Sequence, residues 1–301
     1  MSSSETNSAA WLDALDTPFT VREAPMPPSP APDEVVIRIR AVAFNPVDAY
    51  RQTAGLYTTS YPWIIGCDAS GTVVSCGNEV ENLKVGDKCV ALSDEYITQL
   101  ASHSFFQRFA VVSSKTACQV PKDLKYEDAC VLPLGLCTAA GMLFEKETLD
   151  LDWPTTNKDE QARRGHSSEI IVVWGASSSV GSCAVQLLVA AGYRVIATAS
   201  KHNHSLVQEC GAEAVFDHAD EDCVDQICRW AEERKLQLAG VAAVIIQPEA
   251  HQKCAEVARR LPGKKFVSTS LPRGAMPEPD LGEDIKTSNC KFPTLQMSWS
   301  C

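Results

Sequence analysis

Glu169–Ser205 reads EIIVVWGASSSVGSCAVQLLVAAGYRVIATASKHNHS. Glu169–Trp174 is a short apolar run rich in β-branched residues, long enough for a buried strand and too short for a helix. Gly175–Ser179 is small and flexible. Val180, Cys183, Ala184, Leu187, Leu188 and Ala191 then recur at helical spacing. Gly192 suits a helix C-cap, and Tyr193–Thr198 is a second strand. A strand–helix–strand unit of this length, with small residues at its first turn, has the shape of a dinucleotide-binding site.

The loop Gly175-Ala176-Ser177-Ser178-Ser179-Val180-Gly181 keeps the outer two glycines of the dinucleotide fingerprint and replaces the middle one by Ser178. A serine there hinders close backbone approach but offers a hydroxyl to a phosphate oxygen at a helix N-terminus, where the dipole favours an anion. An NAD site carries Asp or Glu at the end of the second strand to bind the ribose 2′-OH. Here Ser200 stands in that place, followed by Lys201, His202, Asn203 and His204. With no carboxylate to repel a 2′-phosphate, the segment favours NADPH over NADH. Ser200 also suits the N-cap of the next helix, and the two roles are compatible.

Outward from this unit the pattern differs on each side. Pro25–Pro32 carries five prolines and is an extended connector. Val35–Ala43 alternates as a half-buried strand, and Asn45-Pro46-Val47-Asp48 opens a turn or short helix toward Gly55-Leu56-Tyr57. Cys67–Cys76, with a bulge expected at Gly71, Lys88–Leu92, Phe105–Val112 and Ala117–Val120 are further short strands. Phe19–Glu23 suits an edge strand, and the rest of Ala9–Ala24 is ambiguous. Phe19–Pro121 therefore predicts a barrel-like β unit. Tyr126–Leu132 and Leu136–Glu147 are helical. Leu149–Ser168 is a long polar loop, charged from Lys158 to Arg164. After Ser168, strands and helices alternate to Ser270, which implies an α/β, doubly wound parallel sheet. Leu271–Cys301 shows no period. The resulting division is 1–132, 133–271 and an irregular tail over 272–301.

Composition excludes several classes. The formal charge of −11 and the lack of a basic stretch argue against nucleic acid. No apolar run approaches the roughly 20 residues of a membrane span. The polar, acidic start MSSSETNSAAWLDALD is unlike a signal or transit peptide. Thirteen scattered cysteines without C-x-x-C fit buried thiols in a reducing, cytoplasmic setting.

Several motifs together carry a resemblance: Ala43-Phe44-Asn45-Pro46-Val47-Asp48, Gly66-Cys67-Asp68-Ala69-Ser70-Gly71, Val85-Gly86-Asp87, Leu132-Pro133-Leu134-Gly135, the Gly175–Gly181 loop, and Gly211-Ala212-Glu213 before Phe216-Asp217. Over roughly Pro25–Pro272 the chain resembles the medium-chain dehydrogenase/reductase superfamily, a GroES-like β-barrel domain followed by a Rossmann domain. Within it, the Ser-rich loop and Ser200-Lys201-His202-Asn203 look most like the fungal trans-acting enoyl reductases that serve polyketide synthases. Zeta-crystallin-type quinone reductases come second.

The resemblance implies roles for particular residues. Val47, Asp48, Ala49 and Tyr50 lie near the nicotinamide and substrate. Pro133, Leu134, Gly135 and Thr138 line the substrate cleft. Ser177, Ser178, Ser179 and Val180 hold the pyrophosphate. Ser200, Lys201, His202 and Asn203 hold the 2′-phosphate. Thr269 and Ser270 approach the nicotinamide, and His218 replaces a tyrosine common near the adenosine. Tyr57, in a Gly-x-Tyr, is the first candidate for proton donor and Tyr50 the second. The zinc-dependent relatives carry Gly-His-Glu where Gly66-Cys67-Asp68 stands here. With no four-Cys cluster and no ligand spacing among six histidines, no metal is expected. The implied reaction is NADPH-dependent reduction of an α,β-unsaturated thioester. The implied substrate is a small-molecule or carrier-bound acyl group, with a polyketide synthase as partner and a monomer or homodimer as assembly. Family members continue past the Rossmann strands back to the β domain, and Leu271–Cys301 shows no element for that.

Overall fold

The computed structural model describes residues 5–157, 159, 160 and 166–290. The chain divides into two units, the first reaching Leu134 and the second starting at Gly135.

The first unit contains β1 (Asn7–Leu12), β2 (Thr20–Ala24), β3 (Glu34–Ala43), α1 (Pro46–Ala54), β4 (Trp63–Ile64), β5 (Asp68–Cys76), β6 (Lys88–Leu92), α2 (Glu95–Thr98), β7 (Phe109–Ser113), β8 (Ala117–Gln119) and α3 (Tyr126–Ala129). Five strands form an antiparallel sheet in the order β7-β3-β5-β6-β8, and β2-β1-β4 form a smaller one. The ambiguous stretch before Ala24 thus supplies two strands, with β2 at an edge. Central β3 is paired on both sides, and its first half, Val35–Ile37, is fully buried. Val35, Ile37, Ala69, Val73, Phe105 and Val112 are among the residues of its core.

The bulge expected at Gly71 lies on the partner strand. Ile39 pairs Gly71 and Ala41 pairs Ser70, so Arg40 is the extra residue. Gly71 is required opposite it, because a Cβ there would sit 2.3 Å from the Arg38 carbonyl oxygen.

The second unit follows the start of α4 (Pro133–Phe144). Its elements are β9 (Glu169–Trp174), α5 (Ser179–Ala191), β10 (Arg194–Thr198), α6 (His204–Glu209), β11 (Ala214–Phe216), α7 (Cys223–Glu233), β12 (Gln237–Ala243), α8 (Pro248–Arg260), β13 (Phe266–Pro272) and β14 (Lys286–Cys290). All six strands are parallel, in the order β11-β10-β9-β12-β13-β14. This is the doubly wound order, with its switch point between β9 and β12. Ile170, Val172, Ile196, Val241 and Val267 pack against Val224, Ile227, Cys254 and Val257 in its core.

The tail expectation is corrected by β14. Leu271 and Pro272 complete β13, and Lys286–Cys290 forms a sixth parallel strand beside it. The sequence KTSNC hides this strand because its buried residues are Ser288, Asn289 and Cys290 rather than an apolar alternation. The buried amide is used: Thr269 Oγ1 donates to Asn289 Oδ1 at 2.9 Å, and Asn289 Nδ2 donates to the Met276 carbonyl at 2.9 Å. Residues 291–301 lie outside the described residues, as does most of the charged run expected from Lys158 to Arg164.

One further correction concerns hydropathy. Tyr126–Phe144 spans 19 residues and contains an 18-residue window with a mean hydropathy of 1.4, long and apolar enough to cross a membrane. It is broken into α3 and α4, and 67% of its apolar window is buried inside the fold, as in a core helix.

Candidate functional site

In the second unit the site is built where β9 gives way to α5. The chain turns at Gly175 with φ +91°, and a Cβ there would meet Ile245 Cγ1 at 2.4 Å. Thr198 on β10 fixes the turn from the side: its hydroxyl accepts the Gly175 N–H at 3.0 Å and its carbonyl accepts that of Ala176 at 2.9 Å. Ser178 is the N-cap of α5. Its Oγ accepts the Gly181 N–H at 3.1 Å and donates to the Gly175 carbonyl at 2.8 Å. The Ser178 hydroxyl is thus engaged at both ends within the loop.

The N–H groups of Ser179 and Val180 are the donors that the first helical turn leaves over, at the positive end of the helix dipole. Gly181 lets α5 start hard against the strand end. A Cβ there would lie 2.3 Å from the Gly175 oxygen and 2.7 Å from Ala176 Cα. Gly135 on α4 is equally constrained, with Ser179 Oγ 2.4 Å from where its Cβ would be.

A cavity of about 440 Å³ opens beside this loop. Its lining comes from the loop (Gly175, Ser177, Ser178), the end of β10 (Ala199), the turn after β11 (His218) and the segment from β12 into α8 (Ile245, Gln247, Glu249, Ala250, Lys253). Trp174, at the end of β9, completes it.

The segment after β10 meets the turn after β11. Ser200 Oγ and His218 Nε2 are 3.2 Å apart. Lys201, with 73% of its side chain exposed, has Nζ 3.6 Å from Asp220 Oδ1. Asp217 accepts the N–H of Ala219 at 2.9 Å, and this bond, with the nearby Lys201 and His218 charges and the Lys201 N–H, holds its carboxyl below the usual range. Two carboxylates, Asp217 and Asp220, thus lie beside the Ser200–Lys201 segment, brought there by the β10–β11 pairing from positions too distant for sequence spacing to reveal. His202 is exposed and Asn203 half-buried in the same turn. Asn203 donates its N–H to the Ser200 carbonyl at 2.8 Å.

Thr269 and Ser270 lie within β13, and their hydroxyls face neighbouring strands. Thr269 Oγ1 goes to Asn289, and Ser270 Oγ donates to the Val244 carbonyl at 2.8 Å. Thr138 is half-buried on α4, and its carbonyl accepts the Cys290 thiol at 3.5 Å.

In the first unit α1 carries Val47, Asp48, Ala49 and Tyr50. Asn45 precedes it, Pro46 opens it, and Asp48 Oδ2 accepts the Asn45 N–H at 2.8 Å, so the third helical residue reaches back to the cap. Asp48 Oδ1 receives the Cys67 thiol at 3.8 Å. Next to it, Asp68 accepts the Asn45 amide at 3.0 Å and the Leu134 N–H at 2.9 Å, tying the start of α4 to β5 behind buried Pro133. Burial pushes Asp48 up to about 6 and, with a smaller push from the Asp48 charge, Asp68 up to about 7. Burial, then the Asp48 charge, pushes the Cys67 thiol up as well. Among the described residues no three His, Cys, Asp or Glu side chains are grouped to share a metal ion.

Helix α1 ends at Gly55, in the left-handed region at φ +69°. Tyr57 follows with φ +58°, half-buried, its ring 6.1 Å from that of Tyr96. What fixes this loop is a pair that sequence reasoning missed. Arg51 holds Glu95 through two bonds of 2.6 and 3.1 Å, with side chains only 3% and 1% exposed. Trp63 Nε1 donates to Glu95 at 2.6 Å, and Arg51 Nε reaches Thr58 Oγ1 at 3.4 Å. A separation of 44 residues leaves no local signal for such a pair.

Residues 31–122 match the alcohol dehydrogenase GroES-like domain. The chain is 36% identical over 245 residues to the trans-enoyl reductase himH of Aspergillus japonicus, covering 81% of this chain and 68% of that one. Among solved structures, an alcohol dehydrogenase superfamily protein from Novosphingobium aromaticivorans superposes with a TM-score of 0.72 at 25% identity, covering 95% of this chain and 79% of that one. CurK enoyl reductase shares the fold at a TM-score of 0.73 and 19% identity, over 97% and 82% of the two chains. The β unit, the six-stranded parallel sheet with its capped glycine loop, and the relative at 36% identity agree. This chain belongs to the medium-chain dehydrogenase/reductase superfamily of oxidoreductases, alongside the fungal trans-enoyl reductases.

Proposed function

We propose that this protein is an NADPH-dependent, zinc-independent enoyl reductase acting on an α,β-unsaturated, polyketide-type thioester. The observation that carries the reading is the Gly175–Gly181 loop, whose two glycines admit no Cβ and whose capped helix leaves the Ser179 and Val180 N–H groups for a pyrophosphate. Relatives named as trans-enoyl reductases support the substrate class.

The bound dinucleotide supplies the hydride, delivered to the β-carbon of the substrate. The chain's own groups bind and orient. Ser177 to Val180 hold the pyrophosphate. Ser200, Lys201, His202 and Asn203 take the 2′-phosphate, with His218 at the adenosine. Val47, Asp48, Ala49, Tyr50, Thr269 and Ser270 flank the nicotinamide, and Pro133, Leu134, Gly135 and Thr138 shape the acyl cleft. Tyr57, with Tyr50 as the second candidate, gives a proton to the α-carbon or stabilises the negative charge left on the thioester oxygen. Zinc independence rests on the donor set: the Cys67 thiol already donates to Asp48, and both Asp68 oxygens already serve Asn45 and Leu134.

The test is NADPH oxidation monitored with a crotonyl-type thioester and, separately, with quinones, each repeated with NADH. Thioester-dependent oxidation of NADPH in a chelator-treated sample is the expected result. Quinone-only turnover would replace the substrate class, and NADPH binding without oxidation of either would replace the reading by a cofactor-binding protein.

A further inference from the structure

We infer that Asp220 tunes the choice between the two nicotinamide dinucleotides by competing with a ribose 2′-phosphate for Lys201. The inference rests on the cofactor reading above and names a residue outside it.

The turn after β11 closes on the segment after β10 through two side-chain contacts. His218 Nε2 meets Ser200 Oγ at 3.2 Å, and Asp220 Oδ1 lies 3.6 Å from Lys201 Nζ. Each contact occupies a group that a 2′-phosphate would use, the Ser200 hydroxyl and the Lys201 ammonium above all. The two carboxylates differ in what they can do. Asp217 is buried and accepts the Ala219 N–H, so it holds the turn together. Asp220 is half-exposed, and the Lys201 ion pair is the contact its carboxylate makes. The backbone of Asp220 is fixed independently, its N–H donating to the Asp217 carbonyl at 3.1 Å and its carbonyl accepting from Cys223 at 3.2 Å. Its side chain can therefore change without dismantling the turn.

A 2′-phosphate carries close to two negative charges at neutral pH. To pair with Lys201 it must displace the Asp220 carboxylate. NADH has only a hydroxyl there and does not meet this cost. Asp220 thus lowers NADPH affinity while sparing NADH, and through Lys201 rather than by distant repulsion.

The test measures dissociation constants for NADPH, NADH and 2′,5′-ADP at one fixed salt concentration. The proteins are the unmodified chain, D220N, K201M and the double variant. D220N should tighten NADPH and 2′,5′-ADP about fivefold, near the upper end for an exposed ion pair, and move NADH by less than about twofold. On the K201M background the same change should give less than about twofold for all three. D220S serves as a second variant should the asparagine disturb the turn. The inference is overturned if D220N leaves the 2′-phosphate ligands unchanged or weaker, or if its full gain persists without Lys201. Failure of the unmodified chain to bind any of the three ligands overturns the cofactor reading itself, and the inference with it.

Discussion

Replacing Asp48 with asparagine should stabilise the protein near pH 8 and do so less near pH 4.5. Asp48 is 4% exposed on α1, between the Asn45 N–H and the Cys67 thiol. Burial is the largest influence on it and raises its pKa from 3.8 to about 6, against the pull of the Asn45 bond and the Arg51 charge. In the unfolded chain the carboxyl titrates near 3.9. Between those values the folded state binds the proton more tightly, so this group's contribution to stability falls as pH rises and levels off above pH 6 to 7. About 2 pKa units at 1.36 kcal/mol each give a cost of about 3 kcal/mol at pH 8, against about 1 kcal/mol at pH 4.5. Asparagine keeps an oxygen for the Asn45 N–H and turns its NH₂ toward Cys67 Sγ. It loses a carboxylate in the first helical turn, worth up to about 1 kcal/mol. That charge is present in the folded protein at pH 8 but not at pH 4.5, where the folded carboxyl is protonated, so the net gain is about 2 kcal/mol near pH 8 and no more than about 1 kcal/mol near pH 4.5. Parallel urea titrations of both proteins at the two pH values read the difference directly, free of titrations common to both. A destabilised variant at pH 8, or an equal difference at both pH values, would refute the reasoning.

Gly181→Ala places a Cβ 2.3 Å from the Gly175 oxygen, against backbone that cannot yield cheaply. It should cost about 1–3 kcal/mol in a thermal melt and weaken dinucleotide binding in a fluorescence titration. Glu95→Gln leaves Arg51 buried without its counter-charge and should destabilise by about 3–5 kcal/mol, whereas joint replacement by R51M and E95L should recover most of the loss. Tyr57→Phe should lower thioester turnover by about a hundredfold or more with NADPH affinity intact; an unchanged rate removes Tyr57 from the proton-transfer role.

Periodicity found what was local and apolar. The β9–α5–β10 unit, the αL cap at Gly192 and the edge strand near Phe19 follow from runs of a few residues. Strand β12 shows the limit: Gly240 sits mid-strand at φ +150°, at a register shift. A glycine signals an irregular backbone without saying whether the strand ends there. β14 is polar throughout, stabilised by hydrogen bonds to β13 that no hydrophobic pattern reports. The site divides in the same way. The glycine loop was legible because steric demands act between near neighbours. Arg51–Glu95, the Asp48–Cys67–Asp68 cluster and Lys201–Asp220 were not, because each joins separate elements and depends on register and loop path.

The loop also explains where specificity must lie. Ser178 spends both halves of its hydroxyl inside the turn, and Thr198 holds Gly175 and Ala176 from β10. The loop's shape is thus set by the chain before any anion arrives, which lowers the ordering cost of binding. What it presents is backbone N–H, and a pyrophosphate looks the same to those donors in either dinucleotide. Discrimination therefore falls to the only part of the ligand that differs, the ribose 2′ position. On the proposed reading, that position faces the Ser200–Asn203 turn. There the side chains are exposed or half-exposed and paired with one another rather than with the core, Ser200 with His218 and Lys201 with Asp220. A fixed loop and an adjustable turn let one change without the other, which is why a single carboxylate at Asp220 can shift cofactor preference at little cost to the fold.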